Sequence, residues 1–143
     1  MEPFYKIKII ITKIMNNIKY KLDPYRITGF VDGEGCFYVR PAKSKNHIIE
    51  WRVQVCFQIG LHIRDKDLLL QIKSFFNEVG NIYIVKNNAI TYQIRTVSEI
   101  IKIIIPHFEK YPLISKKRND YIIFKKIIKL MDKNEHLCKD GFM

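Results

Sequence analysis

Apolar and polar side chains alternate without a break through residues 51–59, and this pattern constrains the fold more than any other feature of the sequence. Successive side chains of a β-strand point to opposite faces, so the segment predicts a strand with one buried and one open face. The apolar set is Trp51, Val53, Val55, Phe57 and Ile59, and the polar set is Arg52, Gln54, Cys56 and Gln58. Residues 36–42 alternate in the same way, with Tyr38 and Arg40 on the polar side. Together the two segments predict a strand pair with one buried face.

A second pair of strands is predicted in "NIYIVK" and "AITYQIRTV", residues 81–86 and 89–97. Asn87 and Asn88 lie between them, and asparagine tolerates the left-handed backbone of a tight hairpin. The polar face of this second hairpin carries Thr91, Gln93 and Arg95.

Helices are predicted before, between and after the two hairpins. Residues 25–32 form a short apolar segment that Pro24 begins, with Asp23 as its N-cap. Residues 64–80 return to the helical period, and Gly80 is predicted to end that helix. Its apolar stripe is Leu68, Leu69, Ile72, Phe75 and Phe76.

Two more helices are predicted in the last third of the chain. Ser98 is the expected N-cap of the first, which Pro106 should shorten or kink. The second covers residues 115–131, with a core stripe of Tyr121, Phe124, Ile127, Ile128 and Met131. Lys125, Lys126 and Lys129 lie outside that stripe.

The predicted order is helix, hairpin, helix, hairpin, helix, helix. Four antiparallel strands with helices behind them make an α+β sandwich whose open sheet face is polar. Residues 1–22 are basic and apolar and are interpreted as an N-terminal extension, and residues 23–143 as a single domain.

The net charge of +11 and the sequence pI near 9.6 predict a polyanionic partner, nucleic acid before membrane. The apolar stretches are short and interrupted by lysine, which predicts no membrane partner. No cysteine lies at zinc-finger spacing from another cysteine or a histidine, which argues against structural zinc. Heavy use of Ile, Lys, Asn and Tyr is typical of an AT-rich coding genome and predicts a mitochondrial or other organellar location.

The segment "ITGFVDGEG", residues 27–35, resembles the nine-residue signature of the LAGLIDADG homing endonucleases. The blocks "FQIGLH", "EVGNIY" and "YPLISKKR" are also similar to members of that family. The resemblance implies the family's αββαββα fold. It also implies a site-specific DNA endonuclease that hydrolyses phosphodiesters with a divalent metal ion.

The resemblance assigns roles to residues of the signature and its surroundings. Glu34 matches the final acid of the motif and would bind Mg²⁺ together with a backbone carbonyl such as that of Gly33. Asp32 would support the end of the helix. Lys116 or Lys117 would match a basic residue that acts at the cleaved phosphate. Thr28 departs from the family pattern, which has a small apolar residue at that position.

Two surfaces follow from the same interpretation. Gly29 and Gly33 lie four residues apart on one helical face, where a second motif helix would approach backbone to backbone. The polar strand face would enter the DNA major groove, where Arg and Gln pair with guanine and adenine. The predicted contact residues are Tyr38, Arg40, Arg52, Gln54, Gln58, Thr91, Gln93 and Arg95.

The sequence leaves two functions open. It holds one motif, whereas cleavage of both DNA strands needs two active-site carboxylates, so the chain must form a homodimer, pair with a second half, or not cleave. The alternative to the endonuclease is a catalytically inactive organellar RNA-binding protein. That protein would be an intron maturase or a domesticated mitochondrial ribosome subunit bound to ribosomal RNA, with structured RNA as its partner.

Overall fold

A four-stranded antiparallel sheet with the spatial order β1-β2-β4-β3 organises the computed structural model of the chain. The structure describes residues 2–17, 22–43 and 51–141, with side chains over 3–14, 22–41 and 53–133. The strands are β1 (Gly35–Lys43), β2 (Trp51–His62), β3 (Asn81–Val85) and β4 (Ala89–Ile94). The two predicted hairpins are confirmed, and β2 and β4 join them at the centre of the sheet.

Apart from the first, which the sequence did not predict, the helices follow the predicted order around this sheet. They are α1 (Glu2–Asn17), α2 (Pro24–Glu34), α3 (Lys66–Phe75), α4 (Val97–Glu99), α5 (Ile105–Lys110) and α6 (Lys117–Gly141). A 3-10 turn, Ile63–Asp65, precedes α3, and a π-helical turn, Ile100–Ile104, joins α4 to α5. The α+β class and the αββαββα order from α2 onward are therefore confirmed.

The core lies between one sheet face and the helices, and the alternating pattern of the sequence selects that face. The inward residues Val55, Phe57 and Ile59 of β2 are at most 4% exposed. Two residues of this strand differ from the predicted alternation, since Val53 of the apolar set is 43% exposed and Cys56 of the polar set is 1% exposed. Buried helical residues of the same core cluster include Ile27, Val31, Leu69, Ile72, Phe108, Phe124 and Ile128. Burial of this set stabilises the sheet against its helical layer, at about 1.5–3 kcal/mol for each large apolar side chain.

Two helix boundaries differ from the prediction, because tertiary contacts set them. Helix α3 ends at Phe75, before Asn77 and Glu78, which adopt positive φ values of 58° and 62°. Gly80, predicted to end that helix, lies instead at the entry to β3 with φ 87°. A Cβ at Gly80 would lie 2.6 Å from the carbonyl oxygen of Gln93, so the close approach of β4 requires glycine there.

The segment of residues 97–110 also begins differently from the prediction. Thr96, not Ser98, is the N-cap of α4, and it makes no side-chain capping hydrogen bond. Pro106 does not shorten the segment, since the chain stays helical through the π turn and α5. Proline lies in the first turn of α5, directly after the π turn.

Helix α1 falls within the predicted N-terminal extension and lies apart from the core. Its described side chains are all exposed, including Ile10 and Ile14 at about half of their full area. No helix in the described ranges is long and apolar enough to cross a membrane.

Candidate nucleic-acid interface and metal site

Helix α2 presents three faces with separate roles, each built on a spacing of four residues. Asp23 caps its first turn, because the Asp23 carboxylate accepts a 2.8 Å hydrogen bond from the N–H of Tyr25. Ile27 and Val31 face the core and are 1% and 0% exposed. Thr28 and Asp32 face the connection between α5 and α6. The third face carries two exposed glycines, Gly29 and Gly33.

The glycine face is open within this chain. Among the described residues, a Cβ added at Gly29 or Gly33 would meet no heavy atom within 4 Å apart from the helix's own backbone. Glycine inside a helix costs about 0.5–1 kcal/mol relative to alanine, so these positions lower the stability of α2 without a packing benefit inside the chain. A surface without side chains allows another backbone to approach closely, as the prediction of a helix contact at these two residues requires.

Gly35 explains how helix α2 passes directly into strand β1. Its N–H donates to the carbonyl of Val31, and a Cβ at Gly35 would lie 2.5 Å from Val31 Cγ1 and 2.9 Å from Val31 O. Only glycine fits this contact without displacing Val31. The helix therefore ends at Glu34 and the strand begins at the next residue.

Glu34 is the exposed last residue of α2, and its surroundings fit a cation. The final carbonyl groups of a helix lack intrahelical partners and carry partial negative charge, so the carboxylate and the Gly33 carbonyl belong to one oxygen-rich helix end. Magnesium prefers such oxygen ligands and keeps several waters. Over the described ranges, no group of three His, Cys, Asp or Glu side chains forms a metal site by itself. In those ranges Glu34 therefore has no two further side chains of this kind beside it, and a second motif that supplies another carboxylate stays a prediction.

Thr28 is joined to the end of α5 by two hydrogen bonds. Its hydroxyl donates to the carbonyl of Tyr111 at 2.9 Å, so the 3.1 Å contact with His107 Nε2 requires that nitrogen to carry the proton. His107 is 8% exposed and stacks edge-on against Phe75, Phe76 and Phe108. This burial lowers the pKa of His107 to about 4, so the ring is neutral near pH 7. The hydroxyl that distinguishes Thr28 from the small apolar residue of the family pattern is therefore hydrogen-bonded to Tyr111 and His107.

Asp32 binds the residues that precede helix α6. Its carboxylate accepts hydrogen bonds from the main-chain N–H groups of Ile114 and Ser115 and from the Ser115 hydroxyl. Partial burial raises the pKa of Asp32, but the bonds from Ser115 and Ile114 and the charge of Lys117 outweigh it, and the pKa falls below its ordinary value of 3.8. Asp32 was predicted to support the end of its helix. In the structure it binds the segment of Ile114 and Ser115.

The two candidate lysines differ in their surroundings. Lys117 is half-buried at the start of α6, and Lys116 is exposed. Burial raises the pKa of the Cys36 thiol, and the charge of Lys117 acts in the opposite direction. Since Lys117 also lowers the pKa of Asp32, its ammonium group acts on residues at either side of Glu34.

The open sheet face carries the predicted polar residues in a defined register. Gln58 is paired with Cys36 on one side and with Gln93 on the other, and Gln93 is paired with Asn81. A polar row therefore crosses all four strands. A second pair, Arg40 and Gln54, lies nearer the outer end of β1 and β2.

Hydrogen bonds hold several of these side chains in place. Arg95 Nε donates to Gln93 Oε1 at 3.1 Å, and Gln93 Nε2 donates to Gln58 Oε1 at 3.3 Å. Arg40 Nε donates to Gln54 Oε1 at 3.1 Å, and its guanidinium carbon lies 6.0 Å from the centre of the Tyr38 ring. Arg40, Gln54 and Arg95 are exposed, so their remaining donors and acceptors are available to a ligand.

The strand register also includes two predicted contact residues, Thr91 and Arg52, and two additional ones, Asn81 and Tyr83. Thr91 lies on the open face but is only 9% exposed, because its neighbours cover it. Arg52 is paired with Ala42 in the strand register, and its side chain lies outside the described residues. Asn81 and Tyr83 of β3 share the face, since they pair with Gln93 and Thr91. Sequence reasoning missed these two, although the alternation of β3 would have placed them there.

The charge of the sheet has one sign. None of the four strands contains Asp or Glu, whereas Arg40, Lys43 and Arg52 lie in strands and Arg95 follows β4. Strands with arginines and amides and no carboxylate attract a polyanion. Two carboxylates, Glu78 and Glu99, lie at the edge of this face, where they line a groove with Asn81, Gln93 and Arg95. This face begins directly after Glu34, so the candidate metal ligand and the candidate reading surface are contiguous.

The lysines of α6 form a different surface. Lys125 makes an ion pair with Glu109 of α5, and both line a 350 Å³ groove with Arg118, Lys126 and Lys129. This groove lies between helices and not on the strands, which agrees with the prediction that these lysines lie outside the core stripe.

Comparison with known proteins gives this site a context. Residues 27–128 match the family model of the LAGLIDADG endonucleases. A probable intron-encoded endonuclease 2 of Neurospora crassa is 41% identical over 121 residues. An uncharacterized 50.9 kDa protein in ND4 intron 1 of Podospora anserina is 42% identical over 120 residues. These matches cover 84% and 82% of this chain but 27% and 26% of the relatives.

Two solved structures of DNA-bound enzymes have a similar fold. The LAGLIDADG homing endonuclease I-SmaMI bound to cleaved DNA has a TM-score of 0.77 and 39% identity, over 81% of this chain and 39% of that one. The homing endonuclease I-GzeII in complex with its DNA target has a TM-score of 0.73 and 45% identity, over 81% of this chain and 38% of that one. The chain thus spans about a quarter of the curated relatives and about two fifths of these enzymes.

Proposed function

Because the chain belongs to the LAGLIDADG endonuclease family, we propose that it is one half of a site-specific DNA endonuclease of the homing type, dependent on a divalent metal ion. A single observation carries the proposal. The exposed carboxylate of Glu34 ends the motif helix at the point where the polar sheet face begins, and the four strands of that sheet contain no Asp or Glu. A nuclease needs such an arrangement, since the group that acts on phosphate must lie beside the surface that selects the sequence.

The chain's own residues divide the work. Glu34 and the Gly33 carbonyl would hold Mg²⁺, which when bound supplies Lewis-acid activation of water and stabilisation of negative charge on phosphate. Lys117 or Lys116 would add positive charge near the cleaved phosphate. Arg40, Gln54 and Gln58, with the rest of the polar face, would read base edges in the major groove.

Cleavage of both strands requires a second motif helix against Gly29 and Gly33. The open space above both glycines supports a close contact between helices at this face. Either a second copy of the chain or another LAGLIDADG half would supply the second carboxylate. A symmetric pair would place the same residues on both sides of the contact.

We also propose that the protein acts in a mitochondrion or another organelle. Its relatives include a probable intron-encoded endonuclease and a protein in an ND4 intron. A protein of this kind would find its target in the intronless form of the gene that hosts the intron.

The test is cleavage of the intronless host-gene duplex by the purified chain with Mg²⁺. Glu34→Gln should abolish cleavage and leave duplex binding nearly intact, because it removes a metal ligand and not a groove contact. Asp67→Asn, which removes a negative charge from an exposed position on α3, is the matched control and should cleave normally. Full nicking by Glu34→Gln would overturn the assignment. Preference of the wild-type chain for structured RNA over every duplex would favour the RNA-binding alternative.

A further inference from the structure

We propose that Asp32 is a positioning residue for Lys117, because it fastens the turn before α6 to the helix end that carries Glu34. The inference rests on the proposed function, in which a lysine acts at the cleaved phosphate. It adds a role for the other acid of the motif and distinguishes Lys117 from Lys116.

The Asp32 carboxylate gathers three donors from residues more than 80 positions away in the sequence. Ile114 N–H lies 3.2 and 3.1 Å from its two oxygens, Ser115 N–H lies 3.0 Å from Oδ1, and the Ser115 hydroxyl lies 2.7 Å from Oδ1. Hydrogen bonds to an ionised acceptor are about twice as strong as neutral ones. One side chain of α2 therefore fixes both the main chain and a side chain of the α5–α6 connection.

Ser115 transmits this fixation to the start of α6. Its hydroxyl donates to Asp32 and accepts a 3.2 Å hydrogen bond from the N–H of Lys117. Ser115 thus acts as the N-terminal cap of α6 and as the link to α2. Two consecutive hydrogen bonds, through the Ser115 hydroxyl, therefore link the main chain of Lys117 to Asp32. Asp32 itself lies two positions before Glu34.

Burial separates the two lysines. Lys117 is half-buried at the first position of α6, whereas Lys116 lies in the turn with an exposed side chain. A lysine held at a helix start, close to the motif, has fewer directions available than one on an exposed turn. The same geometry that orders Ser115 therefore orders the stem of Lys117.

A double-mutant cycle separates positioning from general support of the fold. Asp32→Ala is placed in the wild-type, Lys117→Ala and Lys116→Ala backgrounds, and the single-turnover cleavage rate is measured at saturating duplex with Mg²⁺. A misplacement of about 1 Å can cost up to about a hundredfold in rate, so we expect a loss of about tenfold to a hundredfold in the wild-type and Lys116→Ala backgrounds. Because Asp32 acts through Lys117, the further loss should disappear in Lys117→Ala. Duplex affinity should change little in all of them.

Two conservative variants guard against loss of folding. Asp32→Asn keeps the shape of the side chain, and Ser115→Thr keeps the hydroxyl that Ser115→Ala removes. We expect Ser115→Ala to lower the rate as Asp32→Asn does, and Ser115→Thr to restore it. An equal rate loss from Asp32→Ala in the Lys117→Ala background would overturn the proposal, as would equal rates for Ser115→Ala and wild type.

Amide hydrogen exchange of the free protein supplies a readout that does not depend on cleavage. Asp32→Asn should speed exchange at Ile114, Ser115 and Lys117 while the central residues of α6 keep their protection. Unchanged protection at these three amides would overturn the proposal even in an active enzyme. If the wild-type chain cleaves no duplex, the proposed function fails, and the exchange result alone decides whether Asp32 fixes Lys117.

Discussion

Acidification should destabilise the domain through one histidine that the candidate nuclease chemistry does not use. The ordinary pKa of histidine is 6.5, and burial lowers the pKa of His107 in the folded protein to about 4. Between these values the unfolded chain binds a proton at His107 and the folded chain does not. The stabilising contribution is therefore complete above about pH 6.5 and is lost as the pH falls toward about 4.

The size of the effect follows from the two pKa values. At about 1.4 kcal/mol for each pH unit, the difference corresponds to roughly 3 kcal/mol of unfolding free energy once the pH is well below 4, and to roughly 2.5 kcal/mol by about pH 4.5. Phe75, Phe76 and Phe108 surround the ring, and its polar contact is the Thr28 hydroxyl, so no neighbouring charge in this shell offsets the loss.

The assay is urea unfolding followed by circular dichroism at several pH values between about 7.5 and 4.5, for the wild type and His107→Gln. Glutamine keeps an N–H donor for Thr28 but does not titrate in this range. The difference between the two proteins isolates His107 from carboxylates, which titrate in both. The wild type should lose roughly 2.5 kcal/mol more than the variant across the range. Parallel curves would refute the reasoning, since they would show that His107 is no harder to protonate when folded.

Four further substitutions test the open glycine face, the polar sheet face, the lysine groove of α6 and the end of helix α2. Gly33→Leu should convert any dimer into monomer in sedimentation velocity, with Ser74→Leu on exposed α3 as the control; an unaltered dimer would place the interface elsewhere. Arg40→Ala should cost about 1–3 kcal/mol of discrimination at one or two base positions in a randomised duplex selection. Lys126→Ala should weaken all duplexes alike or change nothing, and where it contacts phosphate the slope of log affinity against log salt falls by about one. An even loss of affinity from Arg40→Ala would show that this arginine contacts phosphate and not bases. Gly35→Ala should destabilise the fold by about 1–3 kcal/mol in urea unfolding, because its Cβ would overlap Val31. Gly60→Ala, where an added Cβ also meets no atom within 4 Å, should not, and equal stability of the two alanine variants would contradict the close contact at Gly35.

Local patterns predicted the parts of this structure that depend on local chemistry. The alternation of β2 identifies its buried face because adjacent side chains of a strand always diverge. The cap at Asp23 lies next to the helix that it begins, and Asn87 and Asn88 adopt the left-handed backbone expected of them, with φ values of 67° and 58°. These features need no knowledge of the rest of the chain.

The features that the sequence did not predict depend on distant partners. Asp32 meets main-chain N–H groups, which every residue except proline possesses, so no residue type marks Ile114 as its partner. His107 and Thr28 are 79 positions apart, and their contact exists only once α5 lies against α2. Gly80 was predicted to end a helix, but glycine is required there because β4 passes too close to leave room for a side chain. In each case packing between elements decides the role of a residue that local propensity leaves ambiguous.

The π-helical turn Ile100–Ile104 sets where this segment can change in length without losing its contacts. A π turn holds one residue more than the α-helical turn that it replaces. Deletion of a single residue from it would restore a regular helix and leave the flanking residues facing nearly the same way, so His107 would keep its direction toward Thr28. Deletion of one residue from a regular helix such as α3 would instead rotate everything beyond by about 100°. A descendant gene can therefore lose one codon in the π turn and keep the contact between His107 and Thr28, whereas the loss of one codon before Ile72 in α3 would turn that buried residue away from the core.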